Sequence, residues 1–322
     1  MLEIIPSYKF NRNFDQYQIL ALGSSRALQF LANMFAKPFF NLGSTVSSIY
    51  QVTELVRARA IKRKILLIGL DQWAFNRNWD GKNDRLSMDT AYSIFQLIVT
   101  RQKALDILSL KVFPKFNKKE NEIALIGTGA NLSMDGMLRD GSYYYGRKFN
   151  ESINGLDDSI WKNKKFTDII KRIRIGTSPF QFGNEANTNS ISGVEELIQV
   201  CKQNGDTVIF FFPPFAPLVS DLVKRSKYGY MNDASSKLSR LCRKYEIPFF
   251  DYSYFHSKDE QFVDGIHGGN ELYYEILKSF HIGYNEISYI NPFECRLDSI
   301  LTKNRERFFA KPVPRALSVL RG

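Results

Sequence analysis

The sequence is poor in the residues that build disulfide frameworks and metal centres. Its three cysteines, Cys201, Cys242 and Cys295, lie far apart and form no Cys-x-x-Cys pair. An odd, scattered set of this kind argues against a disulfide scaffold or a zinc site and reads as buried small hydrophobes. Long apolar runs are also missing. The longest, Val208 to Phe212, is closed by Pro213 and Pro214 and falls far short of the ~20 residues of a membrane span. There is no low-complexity tract and no internal repeat. A glycine-rich phosphate loop is absent as well: Gly127-Thr-Gly129 opens like a dinucleotide loop, but Leu132 stands where its third glycine is needed. Histidine is scarce, with His256, His267 and His281 the only three. Chemistry that needs an imidazole base therefore has few places to sit.

The 322 residues are 44% hydrophobic and 14% aromatic, enough for one large α/β domain with an insertion, or for two domains. The net charge is +11, with basic clusters at Arg57 to Lys64, Lys115 to Lys119, Lys162 to Lys165, Lys171 to Arg174 and Arg296 to Lys311. Such a surface attracts an anionic polymer or a membrane face, or is simply solvated. No nucleic-acid-binding motif accompanies it, so no specific nucleic-acid partner is expected. The first ten residues lack the basic-then-apolar plan of a signal peptide, and the chain as written is expected in the cytoplasm. Nothing in the pattern bears on oligomeric state.

The chain is organised around Gln18 to Arg26. This is a short apolar strand that runs into Gly23-Ser24-Ser25 and then into a helix-like segment from Ala27 to Phe35. A serine at such a turn suits either a nucleophile or an ordinary helix cap. Four more strands are expected: Pro38 to Ser44, Lys64 to Asp71, Asp206 to Phe212 and Ile247 to Asp251. Helices are expected over Ser47 to Arg63, Val194 to Gln203, Ser235 to Lys244 and Asn270 to Phe280. The alternation predicts a three-layer α/β/α sandwich with a five-stranded parallel, flavodoxin-like sheet. The core is expected over residues 1–76 and 191–284. Residues 77–190 form an insertion after the third strand, a cap or side wall, with a helix from Ser87 to about Leu110, a basic loop and then the stretch Glu122 to Gly129. Residues 285–322 are a basic extension.

All strands of an open parallel sheet end on one edge, where ligands bind. Ser25 ends the first strand, Gly43 the second and Asp71 the third; Pro213-Pro214 end the fourth. The loop with Asp264-Gly-Ile-His267 follows the fifth. A carboxylate three residues before an imidazole can receive its Nδ1–H and leave Nε2 to take a proton from a serine. The same four residues also suit a turn with a helix cap. His256 reads as a loop residue, and His281 as a cation at a helix end.

Taken together, Gly-Ser-Ser near the start, Asn-Leu-Gly after the second strand, Gly-x-Asx after the third and Asp-x-x-His near the end resemble the four blocks of the SGNH (GDSL-like) hydrolases. The resemblance spans about residues 16 to 76 and 194 to 282. The Gly-Ser-Ser-Arg form with Pro-Pro is most similar to a branch that includes proteins of cell-envelope polysaccharide acylation and D-alanyl transfer. It implies a serine esterase or O-acyltransferase, with no metal or cofactor, acting on an acylated carbohydrate, an envelope polymer or a small ester. The alternative is a non-catalytic relative that binds polysaccharide or an assembly partner. In the catalytic reading Ser25 is the nucleophile, His267 the base and Asp264 its orienting partner. The N–H groups of Ser25 and Gly43 line the oxyanion hole. Asp71 sits where the family has an oxyanion asparagine, and Gln72 is the neighbouring donor. Arg26, Pro214, Tyr143, Tyr144, Tyr145 and Arg147 make up the substrate-binding set. The resemblance also implies envelope association behind an N-terminal anchor.

Overall fold

A computed structural model describes residues 14–45, 48–58, 61–79, 136–138, 140–145, 165–225 and 227–283. The helix expected from Ser87, the stretch from Glu122, Arg147, Cys295 and the extension 285–322 lie outside these residues.

The first three strands are β1 (Ile19–Leu22), β2 (Phe39–Asn41) and β3 (Ile65–Gly69), with helix α1 (Ile49–Ala58) before β3. A short hairpin follows, β4 (Gly136–Met137) and β5 (Tyr143–Tyr144), and then α2 (Lys165–Ile175) and α3 (Thr188–Asn204). The chain continues through β6 (Thr207–Phe212), α4 (Pro217–Lys224), α5 (Gly229–Lys244), β7 (Phe249–Asp251) and α6 (Asn270–Gly283). The main sheet has the order β2-β1-β3-β6-β7, and every pair in it is parallel. This is the flavodoxin-like order, and the expected five-stranded sheet is present.

Strand alternation divides the core into two faces. Ile19, Ala21, Leu67, Ile209 and Phe211 point to one side, where Phe166, Ile169 and Ile173 of α2, Val219 and Val223 of α4, and Leu272, Ile276 and Phe280 of α6 cover them. Leu20, Leu22, Leu66, Ile68, Val208, Phe210 and Phe212 point to the other. There Val52, Leu55 and Val56 of α1, Val194, Leu197 and Ile198 of α3, and Ala234 and Leu238 of α5 pack. Because β3 is covered on both sides, its sequence reads as an unbroken apolar run. Cys201 and Cys242 are buried free thiols, and burial pushes both up to about 12.

Four local expectations differ from the structure. The segment after Ser25 is not a helix but two 3-10 turns, Ser25–Ala27 and Ala32–Met34. The carbonyls that would propagate a helix bond elsewhere. The Asn41 amide takes Ala27 O and Phe30 O at 2.9 and 3.0 Å, and Tyr143 N–H takes Leu28 O at 3.1 Å. Helix α1 is shorter than its periodicity suggests, whereas α3 and α5 each begin six residues earlier than expected. In α3 the cause is a cap: the Asn187 side chain accepts from Asn189 N–H, and Gly205, at φ 70°, closes the other end. The short helix α4 was not anticipated; Pro217 starts it, where proline's missing N–H costs nothing. Finally, the stretch 77–190 is not wholly an insertion outside the core, since Phe166, Ile169, Ile173 and Phe180 belong to the core under β6.

Candidate active site

The chain leaves β1 for β2 on one side and returns to β3 on the other, so the switch point of the sheet lies between β1 and β3. Ser25 follows β1 there. Gly23 makes the sharp exit possible with φ 131°, and a Cβ on it would stand 2.5 Å from the Gly69 carbonyl oxygen of β3. Ser24 is the cap of the following turn, its hydroxyl accepting from Arg26 N–H at 3.2 Å. Ser25 is therefore left to face the rim.

From the far end of the sheet, the loop after β7 brings His267 to the same point. Its Nε2 lies 2.8 Å from Ser25 Oγ, a contact between residues 242 apart in the chain. On the other side of the ring, Nδ1 is 2.9 Å from each oxygen of Asp264. Asp264 Oδ1 also accepts the backbone N–H groups of Ile266 and His267 at 3.0 and 2.8 Å. Asp264 and His267 thus form one rigid unit, and Val263 N–H closes the loop onto His267 O at 2.8 Å.

Burial alone would raise the Asp264 carboxyl, but His267 and the two backbone N–H groups outweigh it and bring Asp264 from an ordinary 3.8 to about 2. A lowered carboxylate stabilises the fold above its unfolded value and loses that contribution as pH falls through its folded value. Asp264 is thus expected to contribute about 2 kcal/mol above about pH 4, lost between about pH 4 and 2. Urea unfolding at pH 5 and pH 2.5 checks this: the gap in stability between wild type and Asp264→Asn should shrink at the lower pH.

The positions assigned to the oxyanion hole fare differently. The Ser25 N–H has no acceptor among the described residues. The Gly43 N–H already donates to Asn41 Oδ1 at 2.7 Å. The Gln72 side chain is fully buried, and its Nε2 donates to Pro213 O and Ser253 Oγ, both at 2.8 Å. Asp71 is buried with Oδ1 3.4 Å from Arg26 Nη1. Burial raises its carboxyl, while Arg26, Ser24 and His267 pull it down. Gly43, Asp71 and Gln72 are therefore engaged within the protein rather than directed at a ligand. For Asp71 and Gln72 the physical reason is Arg26: a buried cation between the ends of β1 and β3 requires acceptors, and Asp71 Oδ1 and Gln72 Oε1 provide them.

The expected substrate-binding residues also separate. Arg26 does not face a ligand, because it is 1% exposed and bonded on all sides. Pro214 is buried, and its carbonyl accepts from Arg26 at 2.7 Å. Tyr145, by contrast, is half-buried beside the same rim, its ring centroid 6.4 Å from that of His267, and Tyr143 packs against it at 5.1 Å. Tyr144 lies between them on β5.

Two residues that hold the site were given no role of their own from the sequence, although Asn41 opens the Asn-Leu-Gly block. Asn41 ties the exit of β2 to the turn after Ser25. Asp140 ties the hairpin to the core: its carboxylate accepts Ala32 N–H at 2.6 Å and Ser142 N–H at 3.0 Å, and its carbonyl accepts Asn41 N–H at 2.7 Å. The signal for Asp140 was its place before Gly-Ser, a turn sequence. For Asn41 it was one polar residue closing an apolar strand.

Fold and contacts together define the class: a flavodoxin-like α/β/α protein with a Ser-His-Asp cluster at the sheet's switch point. Compared with models of known families the chain matches none, and among curated proteins no match is found.

Proposed function

We propose that the protein is a serine esterase or O-acyltransferase of the SGNH type that works through an acyl-enzyme on Ser25. The observation that carries this reading is the 2.8 Å contact between Ser25 Oγ and His267 Nε2, backed by Asp264 at 2.9 Å. In the reaction, Ser25 Oγ attacks the ester carbonyl and His267 Nε2 takes its proton. The tetrahedral oxyanion collapses, the alcohol leaves with the proton from His267, and the acyl group stays on Ser25. Water or an acceptor hydroxyl then attacks the acyl group and gives its proton to His267, which passes it to Ser25 Oγ as the Ser25–acyl bond breaks and the acid or a new ester is released. An acylated carbohydrate or envelope polymer suits the rim, because Tyr145 lies beside His267 with Tyr143 packed against it.

A second reading, a binding protein for such a polymer, is favoured by the internal engagement of Gly43, Asp71 and Gln72, which leaves the Ser25 N–H as the sole assigned donor without an acceptor among the described residues. Reaction with a fluorophosphonate probe separates the two. Wild type should be labelled, Ser25→Ala should not be, and His267→Ala should react on the order of 10³-fold or more slowly. Labelling that survives Ser25→Ala removes the nucleophile. A folded wild type that neither reacts with the probe nor turns over p-nitrophenyl acetate supports the binding protein instead.

A further inference from the structure

Arg26 is the residue next to Ser25, and Ile266 is the residue next to His267. The Arg26 Nε donates to the Ile266 carbonyl at 3.1 Å. The rest of the guanidinium is fully committed to the neighbouring strand ends. Nη1 donates to Gln72 Oε1 at 2.6 Å and faces Asp71, while Nη2 donates to the Pro213 and Pro214 carbonyls, both at 2.7 Å. Trp73 and Phe215 flank it, their ring centroids 4.9 and 4.6 Å from Cζ. One planar group therefore joins the exits of β1, β3 and β6 to the loop that carries the base. Apart from the Ser25–His267 contact, the other hydrogen bond that ties residues 263–268 to the rest of the protein among the described residues is Ala216 N–H to Gly265 O at 3.1 Å.

Resting on the reading of Ser25 as nucleophile, we propose that Arg26 is the positioning residue that holds the His267 loop within reach of Ser25, and that Asp71 serves as its buried counter-ion instead of as an oxyanion donor. Asp264 and His267 hold each other through contacts inside their own loop, so that pair does not depend on Arg26. The distance between the loop and the turn after β1 does. A lysine keeps the charge but has no planar fork, so it cannot bond Ile266 and both proline carbonyls together.

The test uses the full chain with Arg26→Lys and the double variant Arg26→Met/Asp71→Leu, which removes both charges so that neither is left buried alone. Two readings are taken on samples shown by near-UV circular dichroism to be folded. One is the rate of fluorophosphonate labelling. The other is the 15N signal of His267 Nε2, assigned with His267→Ala and compared with Ser25→Ala. We expect labelling to slow on the order of 100-fold in both variants, the cost of a displacement of about 1 Å. The Nε2 signal should move towards its position in Ser25→Ala, while the Nδ1 signal that reports Asp264 stays in place. A folded variant with the wild-type labelling rate and the wild-type Nε2 signal overturns the proposal. A wild type inert to the probe, whose Nε2 signal still shifts in both Arg26 variants, overturns the acyl-enzyme reading and leaves Arg26 as the holder of the loop.

Discussion

Under the proposed acyl-enzyme mechanism, Asp264→Asn is expected to lower ester turnover on the order of 10⁴-fold in a protein that still folds. The geometry sets the reason. Asp264 Oδ1 accepts two backbone N–H groups, and an asparagine oxygen in its place keeps both bonds. The asparagine NH₂ then occupies the position of Oδ2, 2.9 Å from His267 Nδ1, while the retained oxygen, also 2.9 Å from Nδ1, is already engaged by the two backbone N–H groups. An N–H facing Nδ1 turns that nitrogen into an acceptor and moves the ring proton to Nε2. A protonated Nε2 donates to Ser25 Oγ instead of receiving its proton, and the base is lost while the shape is kept. Steady-state kinetics with p-nitrophenyl acetate measure the effect, which should fall on kcat with little change in KM. An asparagine variant working near the wild-type rate would remove Asp264 from the mechanism.

The second large effect concerns stability. Gly23→Ala is expected to destabilise the protein by about 2–4 kcal/mol and to slow probe labelling. At φ 131° an alanine is strained whatever the space around it, and here the space is also closed. The new Cβ would meet the Gly69 carbonyl oxygen at 2.5 Å and Ala27 Cβ at 3.4 Å. Gly69 lies in the middle of the sheet and pairs with Phe211, so its backbone has little room to retreat. Relief must then come from the turn itself, which carries Ser24 and Ser25 and whose Gly23 carbonyl accepts Ser44 N–H at 2.9 Å. Denaturant unfolding gives the stability change, and the labelling rate reports the displaced serine. Wild-type values for both would show that the turn adapts without cost.

The parallel sheet was legible in the chain because it is written in local patterns. The run Ile65 to Gly69 is apolar on both faces, and small or turn residues follow each strand at its carboxyl end. The meeting of Ser25 with the Asp264–His267 loop could be anticipated for the same reason: a parallel sheet delivers every such exit to one edge. Helix boundaries were less legible. The segment after Ser25 has helical spacing, but its carbonyls are captured by Asn41 and Tyr143, which are distant in sequence.

Arg26 marks the boundary between what the chain says and what the fold decides. Read in sequence, it is a cation beside a serine and suggests a ligand contact. Only the packed structure shows that it is buried, that Asp71 and Gln72 turn inward to meet it, and that the Gln72 amide oxygen and the Asp71 carboxylate are directed there. Sequence alone determined the sheet, its order of exits and the residues delivered to its rim, since those follow from periodicity and turn chemistry along the chain. Which of the polar side chains at that rim face outward, and which satisfy one another, was settled by tertiary packing. A buried charge must find its partners among whatever groups the fold brings within reach.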